Sequence, residues 1–298
     1  MRYFSSQSHL NILSADMPEG EIGTALLKKK PALLIALLFA ATVTTLFISR
    51  LGERSFGSSN PSARAMSTSD AMADLPKIIL WAWERPEQLG FINTREVGVA
   101  YLARTIFLRD DRVITRPRLQ PLSVPPDARL IAVARIETAV DAPPALSPLQ
   151  RTRVVKKIAG LAQNKSIVGI QIDFDARESE RAFYRDLLFD LRKQLPASIK
   201  LSITALASWC IGDNWIEGLP IDEAVPMLFR MGADRQEITN YLKSGREFRA
   251  PLSQHSIGIS TDEPLKGLPS GRRVYIFNPR SWTEEQVNRI IEEVKQWQ

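Results

Sequence analysis

From residue 77 onward the chain alternates short apolar runs of period two with longer stretches of period 3.6. The period-two runs predict eight strands, over residues 77–83, 97–108, 129–137, 167–175, 200–207, 223–229, 256–260 and 273–277. Helical patterns fall over 149–163, over 179–195 with Tyr184, Leu187, Leu188, Leu191 and Leu195 on one face, and over 234–244, ending at Gly245. The last helix, 283–297, has Thr283 as N-cap and Gln286 three residues on, a capping box. Residues 105–116 read as a hairpin turning at Asp110-Asp111. Eight strands with helices between them predict an α/β fold, a compact (β/α)8 TIM-type barrel; an open α/β sheet or a degraded barrel is the alternative.

The most informative run is Ile167-Val-Gly-Ile-Gln-Ile-Asp-Phe-Asp175. Alternation sends Gln171, Asp173 and Asp175 to one face and Ile170, Ile172 and Phe174 to the other. A strand that is apolar behind and acidic in front suits the C-terminal end of a barrel strand, where barrel enzymes keep their chemistry. No Gly-rich phosphate loop follows a strand, which argues against nucleotide use.

Upstream of the barrel the pattern changes. Residues 32–48 carry no charge, follow Pro31, and are preceded by Lys28, Lys29 and Lys30. A short transmembrane signal anchor with a cytoplasmic N-terminus is expected over 28–50. The chain then divides into a cytoplasmic tail (1–27), the anchor, a Ser/Ala/Gly-rich linker (51–75) and the barrel (76–298). This puts the barrel in the periplasm, tethered through Ala32–Ile48 to a bacterial inner membrane. A cleaved leader ending at Ala63-Arg-Ala65 is the rival reading.

Composition narrows the chemistry. The net charge is +6, and the basic residues form no long run, so no nucleic-acid partner is expected. Cys210 is the only cysteine, so no intrachain disulfide can form, and it reads as buried. With His9 and His255 as the only histidines, neither a zinc site nor a thiol catalyst is favoured, and no cofactor or metal is expected. A divalent ion on Asp173, Asp175 and Asp262 stays open as an alternative.

The other candidate site residues close separate strands. Asp262 and Glu263 follow strand 256–260, and one of them is expected opposite Asp173 and Asp175, as the second carboxylate that glycoside cleavage requires. Trp81, Trp83 and Glu84 end the first strand, and Trp209 the fifth. Indole faces suit the C–H faces of sugar rings. Arg135 and Glu137 share a face of the third strand; Gln171, Arg230 and Asn278 complete the expected ligand-binding set. A plain structural role is open for each: a helix cap or ion pair for the acids, core packing for the indoles.

Six segments carry a family resemblance: Trp81-Ala-Trp-Glu-Arg-Pro86, Gly169-Ile-Gln-Ile-Asp-Phe-Asp-Ala-Arg177, Leu201-Ser-Ile-Thr-Ala-Leu-Ala-Ser-Trp209, Pro226-Met-Leu-Phe-Arg-Met-Gly232, Gly258-Ile-Ser-Thr-Asp-Glu-Pro264 and Arg273-Val-Tyr-Ile-Phe-Asn-Pro279. From about residue 76 onward the chain resembles an uncharacterised bacterial family, the domain-of-unknown-function family numbered 3142, which implies no reaction. At the level of fold it is similar to glycoside hydrolase barrels. In chitinase-type barrels the fourth strand ends Asp-x-Asp-x-Glu. Asp173 and Asp175 match the first two acids, and Arg177 stands where the proton-donating Glu would be. The resemblance thus implies a barrel that acts on or binds a glycan, without the chitinase mechanism. A non-catalytic glycan- or peptide-binding module of an envelope assembly is the alternative.

Overall fold

The computed structural model describes residues 72–297 except 265 and 266. The expected tail and anchor, and residues 51–71 of the expected linker, lie outside the described residues. In chain order the strands and helices are β1 (Ile78–Ala82), β2 (Glu87–Gln88), β3 (Val97–Arg109), β4 (Arg112–Pro117), β5 (Leu122–Ser123), β6 (Leu130–Thr138), α1 (Pro148–Ala159), β7 (Ile167–Asp173), α2 (Arg181–Gln194), β8 (Lys200–Leu206), α3 (Ala207–Gly212), β9 (Glu223–Met227), α4 (Arg235–Lys243), β10 (Ser256–Ser260), β11 (Arg273–Phe277) and α5 (Glu284–Trp297).

Eight parallel strands close into a barrel. The order is β1-β11-β10-β9-β8-β7-β6-β3, and β3 pairs back with β1. All eight strands expected from the period-two runs are present. β4 lies antiparallel on β3 as the expected hairpin, with Asp110 in the left-handed region at its turn (φ 50°). Asp and Asn tolerate that conformation better than most residues. β2 and β5 form a small separate pair.

Alternation divides the apolar residues into two clusters. Ile79, Trp81, Ala100, Leu102, Ile131, Val133, Val225, Met227, Tyr275 and Phe277 fill the barrel interior. Their sequence neighbours, such as Leu80, Ala132, Ile170, Ile172 and Ile203, face the helices. The register shifts at two places, between Leu130 and Ile131 in the β6–β7 pairing and on β3. The β3–β6 register shifts between Leu102 and Arg104, so Thr105 rather than Arg104 comes level with Arg135.

The helices cover the barrel unevenly. α1 starts at Ser147, whose hydroxyl accepts from the Gln150 backbone N–H at 3.2 Å, and buries Val154, Val155 and Ile158. α2 buries Tyr184, Leu187, Leu188 and Leu191, the face its pattern predicts. The α5 capping box forms in both directions, Gln286 N–H to Thr283 Oγ1 and Thr283 N–H to Gln286 Oε1, each 3.3 Å. Among the described residues no helix lies between β1 and β3 or between β10 and β11, and none is long and apolar enough to cross a membrane.

The lower, N-terminal end of the barrel is sealed. Met72 and Leu75 are buried in the interior cluster. Arg273 at the start of β11 donates to the carbonyls of Pro76 (3.1 Å) and Met72 (2.5 Å) and to Glu223 Oε1 (2.7 Å). Tyr275 Oη donates to the other Glu223 oxygen at 2.8 Å.

Candidate functional site

The polar residues of β7 point into the barrel. Gln171 is fully buried; its carbonyl oxygen accepts from Trp81 Nε1 at 2.8 Å, and its amide donates to Ser202 Oγ at 3.4 Å. One layer up, at the C-terminal end, Asp173 is 5% exposed. Its Oδ1 accepts from Thr204 Oγ1 at 2.7 Å, while its Oδ2 lies 4.0 Å from Arg135 Nε. That guanidinium is committed more closely to Glu137, at 2.8 Å. Arg135 and Asp173 are register partners on adjacent strands, so their meeting follows directly from the β6–β7 pairing.

Asp173 is therefore buried with one good hydrogen bond and one distant cation. Burial raises its pKa above the ordinary carboxylate value, and the Asp175 charge adds to the rise; Arg135 and the Thr204 hydrogen bond oppose it without cancelling it. A carboxyl in this state keeps its proton to higher pH than an exposed aspartate, as a proton donor must. Asp175 follows Phe174 beyond the strand end and is half-buried.

Trp83 forms the aromatic side of this rim. The Arg135 guanidinium lies over its ring at 5.8 Å, and its ring meets Phe277 edge-on at 6.2 Å. Phe277 stacks on Phe229 at 5.7 Å, closing the barrel interior below. Trp83 is half-buried. Arg118 fixes the chain around it, donating to the carbonyls of Trp83, Ala82 (3.2 Å) and Arg85 (2.6 Å). Glu84 is exposed and paired with Arg116 at 2.7 Å.

The other expected sugar platforms are corrected by the structure. Trp81 is 3% exposed and packs inside the barrel against Tyr275 and Phe229. Its indole occupies the room left by Gly258, where a Cβ would come within 2.9 Å of the ring. Trp209 does not end a strand: it lies in α3, buried against Trp215 at 4.9 Å on the helix side. Trp282 is likewise buried and donates from Nε1 to the Trp81 carbonyl at 3.0 Å.

Asp262 and Glu263, expected as opposing acids, are held in ion pairs. Arg230, in the left-handed region (φ 54°), binds Asp262 at 2.7 Å and also binds Glu263, which Arg235 reaches at 2.7 Å. Burial alone would raise both carboxyls. The Ser260 and Arg230 hydrogen bonds to Asp262, and the Arg230 backbone and side-chain bonds to Glu263, outweigh it and hold both below their usual values. Asp262 lines a lateral cavity of about 390 Å³ between β10, β11 and α5, which neither Asp173 nor Asp175 lines. Among the described residues no group of three His, Cys, Asp or Glu is placed to hold a metal ion. Asn278, expected to bind ligand, is buried; its side chain accepts from Thr261 Oγ1 at 3.1 Å and donates to Gln286 at 3.2 Å, fastening β11 to α5.

Two contributors escaped the sequence reading. Thr204 was legible, since Ser202 and Thr204 alternate onto the interior face beside Gln171 and Asp173. Tyr184 was assigned to the core face of its helix, and it does pack there, on Phe174 at 5.1 Å. Its buried hydroxyl has no hydrogen-bond partner, and its pKa is raised well above the usual tyrosine value by burial and by the charges of Asp173 and Asp175. Cys210 is buried, and burial pushes its thiol up to about 12, which makes it inert as a nucleophile.

Residues 127–226 match the model of a domain of unknown function, DUF3142. The matched stretch runs from β6 into β9 and contains Arg135, Glu137, Gln171, Asp173, Asp175 and Thr204. The resemblance read from the sequence holds there; segments 81–86, 258–264 and 273–279 fall outside it, as does 226–232 beyond Pro226. No curated protein matches the chain.

Proposed function

We propose that the C-terminal mouth of the barrel binds a glycan and cleaves it, with Asp173 as the group that holds and donates the proton. The observation that carries this reading is a buried, under-neutralised carboxyl at a strand end, beside a second acid and a half-exposed indole. Asp173 protonates the leaving oxygen as the glycosidic C–O bond breaks, Asp175 supplies the carboxylate charge that stabilises the developing cation, and water adds to the anomeric carbon and returns a proton to Asp173. Trp83 offers the apolar surface for a sugar ring, with Arg135 and Glu137 beside it to bond hydroxyls. The reading includes a tether to a bacterial inner membrane, supported by the apolar run 32–48 and the lysines before it. Release of the full-length chain from membranes by high salt alone would contradict that tether.

The test is reducing-end release by the purified full-length chain from a polysaccharide panel. Asp173→Asn is expected to reduce turnover by about 100-fold or more while binding persists. A second reading, a binding module without turnover, is favoured by the capture of Asp262 and Glu263 by Arg230. It requires binding with no release of reducing ends in either protein.

A further inference from the structure

We infer that the open face of β4, β3 and β6 above the mouth binds the anionic groups of an acidic polysaccharide, which makes the barrel's ligand a negatively charged glycan. The inference rests on the glycan reading of the mouth and names its substrate class. Its basis is the strand register. β1 ends at Ala82, but β3 continues to Arg109 and returns as β4, so the sheet rises past the rim. On β3 and β6, Thr105 pairs with Arg135 and Phe107 with Glu137. On β3 and β4, Thr105 pairs with Arg116, Phe107 with Ile114, and Arg109 with Arg112. Register partners share a face, so these side chains continue the interior face of the barrel upward from Asp173, the partner of Arg135.

The reverse face is covered. Ile106 and Leu108 are buried in the helix-side core, and Gln150 of α1 donates to the carbonyls of Asp110 (3.0 Å) and Arg112 (2.9 Å). The forward face is open: Arg109, Arg112, Ile114 and Arg116 are exposed, and Ile114 at 46% is among the most exposed large apolar side chains described.

The chemistry of that face suits anions on an extended chain. Every cation on it is an arginine, whose planar fork carries five donors and bonds carboxylates or sulfates in pairs. Two of them lie over aromatic rings, Arg116 on Phe107 at 5.6 Å and Arg135 on Trp83 at 5.8 Å. Arg112 and Arg116 also meet Asp110 and Glu84, at 2.9 and 2.7 Å. Exposed pairs of this kind are worth about 0–1 kcal/mol, so they yield to an incoming carboxylate and keep the side chains extended meanwhile. By strand rise, Arg112 and Arg116 stand about 13 Å apart with Ile114 between them. That spacing fits a repeating polyanion with an apolar ring face between charges better than a single small anion. Nucleic acid fits less well, because Arg116 already covers the Phe107 ring on which a base would stack.

The test measures binding of the full-length chain to polygalacturonate, to neutral dextran and to a single-stranded oligonucleotide. The expected result is polygalacturonate bound about tenfold or more tighter than dextran. Arg112→Gln with Arg116→Gln removes that preference and leaves dextran binding and the melting temperature unchanged. Trp83→Ala weakens both polysaccharides. Failure to retain polygalacturonate, a wild-type preference in the double variant, or equal binding of the oligonucleotide overturns the inference. Dextran binding that depends on Trp83 while the arginines contribute nothing overturns the inference alone. A polygalacturonate preference that depends on the arginines but not on Trp83 overturns the reading of the mouth alone.

Discussion

The two ends of the barrel each bury a carboxylate against an arginine, and they treat it differently. At the lower end both oxygens of fully buried Glu223 are hydrogen-bonded, to Arg273 at 2.7 Å and to Tyr275 at 2.8 Å. The other two guanidinium nitrogens of Arg273 donate to the Met72 and Pro76 carbonyls. At the upper end Asp173 has one hydrogen bond and an arginine 4.0 Å away that leans toward Glu137. A closed network neutralises its charge and fixes the strands around it. An open one leaves a carboxyl whose protonation is still to be decided, which is the state a reacting acid needs. The same residue types thus act as a fastening at one end and as candidate chemistry at the other, and the distinction lies in the distances and partners.

The strongest break in this comparison is Glu223→Ala. It leaves the buried Arg273 cation without its partner and is expected to destabilise the fold by about 3–5 kcal/mol. Urea unfolding followed by tryptophan fluorescence measures it; a loss under about 1 kcal/mol would mean that the lower network is not the fastening described.

Asp173→Asn should move stability the other way at neutral pH. Because burial raises the folded-state pKa of Asp173, its favourable contribution is present below the unfolded pKa of about 3.9 and is lost as pH rises through the folded value. Asparagine carries no such loss and can still accept from Thr204. The variant should therefore gain on the wild type as pH rises above about 4. Parallel unfolding curves over that range, with no widening gap, would show Asp173 to be ordinarily charged.

The smallest effect belongs to the surface acids. Arg230→Gly removes the ion pairs to Asp262 and Glu263 but relieves a left-handed backbone that costs an arginine about 1 kcal/mol. Stability should change by no more than about 1 kcal/mol, and glycan turnover not at all. A large fall in turnover would return Asp262 and Glu263 to the site.

What the sequence made legible was whatever depends on local periodicity. The strands, the Thr283–Gln286 box and the Asp110 turn follow from neighbours a few residues apart. So does the pairing of Gln171 with Asp173 on one face. Depth did not follow. Trp81 and Trp83 share a face, yet one is sealed opposite Gly258 and the other reaches the rim, because only the closed barrel decides which interior layer a residue occupies. Trp209 was misplaced because an apolar run that passes from strand into a short helix shows no change of composition. The capture of Glu263 by Arg230 joins residues 33 positions apart, with no local mark. The bulge after Leu102 was equally silent, although it decides that Thr105 and Phe107, and with them the basic hairpin, face the mouth.

The seal around Met72 and Pro76 also sets the terms for engineering this molecule. Because Arg273 grips the incoming chain at the pole opposite the acids, a reporter, purification handle or solid support joined ahead of Met72 would attach on the far side from the rim. Trimming past Met72 would instead pull the stopper and open the apolar interior to water.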